Sequence, residues 1–260
     1  MSKLWRYWMK SLALELQKEM TYKLNFFFKV IGIVLADVVA PLVTLLIYRS
    51  TPGIPGWEFE EIILFQGSFI LVFGLSRMLF MSFPGRVIEA VRDGSFDKYM
   101  VKPINPLLQL TLMSWDIEGS AEALTGLGLV VWSTTKVGVT LPNMLLYVPL
   151  ILLGCLFVYS LMVVIAALAF LVVKSWALYD IFLKLSDFGR YPITIYEGGL
   201  RFMLTFIFPI GVVAFYPARS ILVAQGWQLM THVVLPIGGV FLISLLLWRQ
   251  AMRKYTSAGG

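Results

Sequence analysis

Residues 26–48 read FFFKVIGIVLADVVAPLVTLLIY, an apolar run long enough to cross a membrane as one helix. A crossing needs about 20 mostly apolar residues, because a helix rises about 1.5 Å per residue and the hydrocarbon core is about 30 Å thick. Comparable runs follow it, and the predicted crossings are 26–48, 62–83, 117–135, 145–173, 200–215 and 233–248. The expected fold class is therefore all-α, a polytopic membrane protein with about six transmembrane helices, in a single domain that spans residues 1–260.

The composition excludes an ordinary soluble enzyme. The chain is 59% hydrophobic and only 14% charged, with a mean hydropathy of +0.83, whereas soluble domains carry about 25% charged residues. No short apolar region followed by a cleavage site opens the chain, so the first crossing is the expected insertion signal. The net charge of +6 is spread between apolar runs. The expected partner is therefore the lipid bilayer, and no nucleic acid is expected.

The positive charges predict the orientation of the crossings. Most Lys and Arg residues fall on one side of the six predicted crossings; the exceptions are Arg49, Lys136 and Arg219, with Arg77 inside the second crossing. Because cytoplasmic loops carry an excess of Lys and Arg, we expect both termini in the cytoplasm. Most tryptophans lie near predicted crossing ends, where an indole ring prefers the headgroup level. Charge and tryptophan placement therefore support the same multi-pass arrangement.

Three segments lie outside the predicted crossings. Residues 1–23 place apolar and basic side chains on different sides of a helix, which predicts an interfacial helix; the alternative is a basic tail that only sets the topology. Residues 84–108 predict a short amphipathic helix that ends at Gly94, or else a solvated linker. Residues 174–199 place apolar side chains at helical spacing and predict a second cytoplasmic amphipathic segment.

Polar side chains at the predicted membrane depth are few. They are Asp37, Arg77, Glu118 and Glu122. A carboxylate in mid-membrane costs several kcal/mol unless it is paired, protonated or hydrated. Proton coupling is one hypothesis for these acids, and interhelical pairing with Arg77 or Lys29 is the alternative we favour. In either case we expect Asp37→Asn to impair assembly or transport.

The sequence lacks the residue patterns that an enzyme acting inside the membrane would need. There is one histidine, His232, and one cysteine, Cys155, and we interpret both as structural. No H-E-x-x-H motif, Ser/His pair or metal-ligand cluster occurs, so neither an enzyme nor a metal site is expected. No G-x-x-x-x-G-K-[ST] loop occurs either, so the chain should not bind ATP phosphates. An ion-coupled secondary transporter predicts inverted repeats, and no clear repeat is present.

Three stretches resemble a known family. GSFDKYMVKPINP (94–106), GRYPITIYEGGLRFMLTFIFPIG (189–211) and FYPA (215–218) resemble permease subunits of ABC transporters. The resemblance is to the type-2 exporter class, which handles drugs, polysaccharides and lipids, and within it to a poorly characterised bacterial branch. It covers nearly the whole chain. EAVRDG (89–94) is shorter than the EAA-x-x-x-G loop of ABC importers and lies earlier in the chain. Export is therefore favoured; an importer permease or an ion-coupled secondary transporter is the alternative.

The resemblance implies a division of labour between subunits. Two separate ABC ATPase subunits would hold ATP and Mg²⁺, no cofactor would bind to this chain, and a second permease, identical or homologous, would complete the transporter in the bacterial cytoplasmic (inner) membrane. The loop between the second and third crossings would be the main coupling helix, residues 179–188 a second contact, and the apolar stretch after Pro209 a re-entrant extracellular element. The residues expected to couple to the ATPase are Arg86, Glu89, Arg92, Asp93, Phe96, Asp97, Lys98, Lys102, Tyr179, Phe182 and Asp187.

Overall fold

A computed structural model describes residues 3–172, 175–222 and 227–255, which form helices and no β-strand. Residues 1–2 of the predicted interfacial helix, Lys174 of the predicted cytoplasmic segment and the side chain of His232 lie outside this description. The helices are α1 (Lys3–Thr21), α2 (Lys23–Ser50), α3 (Phe59–Leu79), α4 (Phe83–Arg92), α5 (Asp97–Met100), α6 (Pro106–Leu112), α7 (Glu118–Val137), α8 (Leu141–Leu168), α9 (Ser175–Ser186), α10 (Gly198–Phe202), α11 (Gly211–Leu222) and α12 (Trp227–Lys254). The all-α class is confirmed.

Helix α3 forms the centre of the bundle. Its buried residues run without interruption from Ile62 to Gly74, because it is apolar on every side and packs against α2, α7, α8 and α11. We call the end of the bundle where α3 begins the Trp57 end, and the opposite end, which holds the loop after α3, the Phe96 end. Helix α7 runs antiparallel to α3, since Gly119 lies against Met78 and Ser133 donates a hydrogen bond to the Glu60 carbonyl.

Glycines bring α3 and α7 into backbone contact. A Cβ atom on Gly74 of α3 would collide with the backbone of Ala123, and one on Gly126 of α7 with the backbone of Leu71. Gly119 of α7 meets the backbone of Met78 in the same way. Small residues at a helix interface allow this close approach, which replaces the hydrophobic effect as a driving force within a membrane. The pair α3 and α7 is therefore the most closely packed part of the chain.

Four described helices are long and apolar enough to cross a membrane: α2, α3, α8 and the part of α12 from Val233 to Lys254. Helix α7 lies along α3 and extends over 20 residues. Residues 175–196 make a further connection between the two ends of the bundle. The described residues thus contain six end-to-end segments, which are α2, α3, α7, α8, 175–196 and α12.

The predicted fifth crossing, residues 200–215, is not one helix. Helix α10 ends at Phe202, a π-helical turn covers Met203–Ile207, and a new helix, α11, begins at Gly211. The chain breaks beside Pro209, which has no backbone N–H to continue a helix. Ile210, at the break, lies against Gly189, while Asn143 at the start of α8 donates a hydrogen bond to the Ile221 carbonyl (2.9 Å). Helices α10 and α11 therefore form a hairpin that enters the bundle from the Trp57 end and turns back.

The true fifth connection lies in the segment predicted to be cytoplasmic, 174–199. The ring of Trp176 lies against Gly85 at the Phe96 end. Phe182 stacks on Phe73 with ring centroids 6.3 Å apart. At the other end of the bundle, Trp57 Nε1 donates a hydrogen bond to Thr194 Oγ1 (3.2 Å). The segment thus follows α3 over its whole length, which corrects the expected cytoplasmic position; its charged residues lower the local hydropathy and conceal the crossing.

Candidate functional site

Helix α4 is amphipathic and lies at the Phe96 end, between α3 and α7. Its buried residues include Phe83, Val87 and Ile88, whereas Glu89 and Arg92 are exposed. Asp93 follows the helix and accepts a hydrogen bond from the Ser95 backbone N–H (2.9 Å). The helix ends before Gly94, whose φ of 72° lies in the left-handed region that favours glycine. The amphipathic helix expected in residues 84–108 is therefore present, ending where the glycine predicted.

Five of the residues expected to couple to an ATPase share one exposed surface. We call this set the α4 surface, and it comprises Glu89, Arg92, Asp93, Lys98 and Lys102. Arg86 and Asp97 are half-buried beside it. The surface carries both signs of charge at the Phe96 end, and the apolar face of α4 anchors it to the bundle. The charged residues are therefore held in place at the end of the bundle by the buried face of α4.

Phe96 does not belong to that surface, which corrects its expected role as a direct contact. Its side chain is 0% exposed. It lies at the centre of an aromatic group that we call the Phe96 cluster, in which its ring centroid is 4.9 Å from that of Phe170, 5.3 Å from Tyr255, 5.9 Å from Tyr99 and 6.4 Å from Trp248. Phe170 follows α8 and Trp248 belongs to α12. The cluster therefore ties the loop after α4 to the ends of two long helices.

We expect Phe96→Ala to destabilise the whole chain. Removing a fully buried aromatic ring leaves a cavity and costs about 3–5 kcal/mol. The measurement is thermal unfolding of the detergent-purified protein, followed by fluorescence-detected size-exclusion chromatography. Val101→Ala, in the same loop but 81% exposed, is the matched control and should unfold like the wild type. Equal unfolding temperatures for Phe96→Ala and Val101→Ala would contradict the central place of Phe96.

The other residues expected to contact an ATPase lie along α3. Phe182 is buried between Phe73 and Phe208. Tyr179 donates a hydrogen bond to the Met81 carbonyl (3.4 Å), and Asp187 pairs with Arg190 (3.1 Å) at the level of mid-α3. The structure does not bring Phe182 or Asp187 to the α4 surface. A helical segment with one apolar face looks the same in sequence whether it lies in a loop or crosses the bundle, which explains the difference.

Two ion pairs connect the helices at successive depths from the Phe96 end. Lys29 Nζ lies 2.6 Å from Glu118 Oε1, between α2 and α7. Arg77 Nε of α3 lies 3.0 Å from Glu122 Oε2 of α7. The interhelical pairing favoured from the sequence is thus present for both glutamates. Such pairs lower the cost of holding charge at membrane depth.

Asp37 is paired with a residue that the sequence did not suggest. Arg190 Nη1 lies 4.0 Å from Asp37 Oδ1, and the Arg190 guanidinium stacks over the Phe69 ring at 5.5 Å. Asp37 Oδ2 is buried and accepts no hydrogen bond from the described residues. The partner was missed because residue 190 was expected in the cytoplasm. The sequence did hold a signal of a crossing segment. Charged residues recur at Asp180, Lys184 and Asp187, opposite an apolar face.

Asp116 lies just before α7, outside the crossing, and closes this charged region at the Phe96 end. Its backbone N–H donates a hydrogen bond to the Met78 carbonyl (3.2 Å). Burial raises the pKa of the Asp116 carboxyl, and the neighbouring Glu118 charge raises it further. Among the described residues no group of three or more His, Cys, Asp or Glu side chains is placed to hold a metal ion. The ion pairs Lys29–Glu118 and Arg77–Glu122 form the charged network between the helices here.

A bundle of membrane-length helices with an amphipathic helix anchored at one end is the architecture of a multi-pass membrane protein. A family model described as ABC-2 family transporter protein matches residues 34–259. The chain therefore belongs to the ABC-2 family of transporter proteins, as the sequence resemblance indicated. No curated protein and no solved structure matches the chain.

Proposed function

We propose that the chain is the permease subunit of an ATP-driven ABC exporter in the bacterial cytoplasmic membrane. In this proposal it forms the translocation path with a second permease, identical or homologous, and couples to two separate ATPase subunits that bind ATP and Mg²⁺. The observation that carries the proposal is α4, an amphipathic helix between two long helices whose apolar face is buried and whose charged surface is exposed. Family membership supports the same role.

The contacts of α4 suggest how movement of a partner would reach the membrane. Helix α4 packs against α6, α8 and α9. The loop after it inserts Phe96 against Trp248 of α12. Because a closely packed interior transmits displacement rather than absorbing it, a push on the α4 surface would reach α8, α9 and α12 together. The role of Phe96 in this proposal is to hold the loop to the long helices, and the ATPase contact falls to the exposed charges.

The same features support an orientation and a direction of transport. Lys and Arg are concentrated at the Phe96 end, so that end and both termini are proposed to be cytoplasmic. An ATPase is a cytoplasmic subunit, and the α4 surface lies at this end. The short EAVRDG stretch (89–94) departs from the importer loop and supports export.

Exposed charges of the α4 surface provide the test of coupling. We expect the double variant Arg92→Glu/Lys98→Glu to bind its ATPase at least about tenfold more weakly, because two cations that face the partner change sign. The measurement is recovery of a P-loop ATPase with affinity-tagged permease from native membranes, followed by ATP hydrolysis by the recovered complex. Lys136→Glu, an exposed charge at the Trp57 end, is the control and should bind as the wild type.

Two results would count against the proposal. Recovery of no P-loop ATPase with the wild-type chain would contradict the permease function itself. Full ATPase binding and hydrolysis by Arg92→Glu/Lys98→Glu would leave the permease function standing but remove the α4 surface from the docking site.

A further inference from the structure

A groove lies between the hairpin of α10 and α11 and the neighbouring helices α8 and α12. Its outer part is a cavity of about 500 Å³ that is lined by Arg201 among other residues. Its inner part is a cavity of about 380 Å³ between Phe157 of α8 and Ile237 of α12. Thr205 and Tyr216 line both cavities, so the two adjoin. We call them together the hairpin groove, and each cavity has the size of a ligand pocket, about 300–1,000 Å³.

The hairpin groove extends over the depth of one membrane leaflet. Its outer end includes Thr194, which accepts a hydrogen bond from Trp57, just before α3 begins. Its inner end includes Pro209. The residue after Pro209 contacts Gly189, which in turn lies against the ring of Phe69 at the middle of α3. Half of α3 is about 15 Å long, which is half of a hydrocarbon core of about 30 Å.

The outer end of the groove carries positive charge. Arg201 lines it and is exposed. The guanidinium of Arg219 lies 5.7 Å from the ring centroid of Phe215, which lines the same cavity. Neither arginine forms an ion pair within the part of the chain that the structure describes. A planar guanidinium donates two parallel hydrogen bonds to a phosphate group, so the outer end suits a phosphate at headgroup depth.

The inner part of the groove is apolar. Its lining includes Phe157, Leu204, Val212 and Ile237, and no charged residue lines it among those described. Helix α11 packs mainly against α3 and α8 and only lightly against α12, which leaves the space open. Leu235, near this opening on α12, is 79% exposed. The groove therefore borders membrane hydrocarbon, and an empty apolar space there would forfeit the dispersion contacts of its lining.

We propose that the hairpin groove binds one phospholipid from the leaflet at the Trp57 end. The phosphate contacts Arg201, and an acyl chain occupies the inner part as far as Pro209. The occupant is a phospholipid because a cation at headgroup depth continues directly into an apolar space one leaflet deep. It is a resident part of the folded chain, whatever cargo the transporter carries, and so the inference goes beyond the proposed function.

Lipid titration tests the contact with the phosphate. Protein stripped of lipid in detergent is titrated with dioctanoyl phosphatidylglycerol and, separately, with dioctanoylglycerol, which lacks the phosphate. Bound lipid is counted by native mass spectrometry. The wild type should bind one phosphatidylglycerol per chain, and Arg201→Gln should bind it at least about tenfold more weakly, because a charge-assisted contact is lost. Arg49→Gln, the same change at an exposed arginine of the same end, is the control and should bind as the wild type.

Filling the groove tests its apolar part. Thr205 is exposed and lines both cavities, so the indole of Thr205→Trp would occupy the space of the lipid. This variant should lose binding of both phosphatidylglycerol and dioctanoylglycerol. Thr205→Ser leaves the groove open and should bind both as the wild type. Phosphatidylglycerol should also raise the unfolding temperature of the wild type and of Thr205→Ser, but not that of Thr205→Trp, because a ligand stabilises only the state that binds it.

Each result bears on a separate part of the proposal. A wild-type chain that binds no phosphatidylglycerol would overturn the occupant. Equal affinities of Arg201→Gln and the wild type would overturn the phosphate contact. Full binding by Thr205→Trp would overturn the groove as the site, and a change of that variant from dimer to monomer with its lipid retained would assign the groove to a second copy of the chain. No measurement involves the ATPase, so failure here is separate from failure of the permease proposal.

Discussion

Replacing Gly74 by leucine is expected to leave little folded protein. The helices α3 and α7 meet at backbone contact there, and even a Cβ atom would overlap the main chain of Ala123. Overpacking costs about 1–3 kcal/mol where side chains can move aside, and more where they cannot. Here the obstacle is backbone, so the two helices would have to separate along much of their length. This is the largest single effect that we expect.

The measurement is the yield of monodisperse protein after extraction in mild detergent, compared with total membrane-inserted protein. Gly128→Leu is the matched control, because Gly128 lies on the same helix as Gly126 but has no atom within 4 Å of an added Cβ. The control should be recovered at the wild-type level. Wild-type recovery of Gly74→Leu would show that the backbone contact does not hold α3 and α7 together.

Loss of the Arg77 charge is expected to have another large effect, similar in size to that of Phe96→Ala. Arg77→Met leaves the Glu122 carboxylate without its partner 3.0 Å away. The Glu122 side chain is only 7% exposed, and an unpaired buried charge destabilises a protein by about 3–5 kcal/mol. Because Arg77 is itself partly exposed, we expect the free energy of unfolding to fall by about 3 kcal/mol. The measurement is the unfolding temperature of the protein in detergent, which should be reduced.

The double variant Arg77→Met/Glu122→Gln separates charge from packing. Removing both charges should restore most of the stability, since replacing both members of a buried pair is often nearly neutral. Lys29→Met provides a comparison, because the Lys29 side chain is 44% exposed near the Phe96 end of α2 and an exposed pair contributes only about 0–1 kcal/mol. If the double variant is as unstable as Arg77→Met, the Glu122 charge is not the cause.

Hydropathy predicted the class of fold and most of its long helices. Helices α2, α3 and α8 are predominantly apolar, and their length and hydropathy identify them as crossings. It failed at 175–196, where Asp180, Lys184, Asp187 and Arg190 interrupt the apolar pattern. A sliding average treats these charges as evidence for a loop, although a charged face is tolerated where it lies against water or a partner. The apolar hairpin that follows was therefore predicted, wrongly, to be the fifth crossing.

Prediction from the sequence was also incomplete for single residues of the candidate site. The amphipathic pattern predicted α4 and its charged face, because the period of 3.6 residues separates the two faces. It did not predict that Phe96 faces inward, since an apolar residue after a helix can pack on its own chain or on a partner. The pairing of Asp37 with Arg190 joins positions far apart in sequence. Only the folded chain shows which distant segments meet.

The glycine contact between α3 and α7 has a mechanical consequence. Two helices joined backbone to backbone move as one rigid body, because no side-chain layer between them can yield. Flexibility must then lie elsewhere, and the part of the chain between α8 and α12 has three interruptions of regular α-helical hydrogen bonding, at Asp187–Arg190, at Met203–Ile207 and beside Pro209. We call these three places joints. A transport cycle is therefore expected to bend the chain at these joints while α3 and α7 serve as the fixed frame.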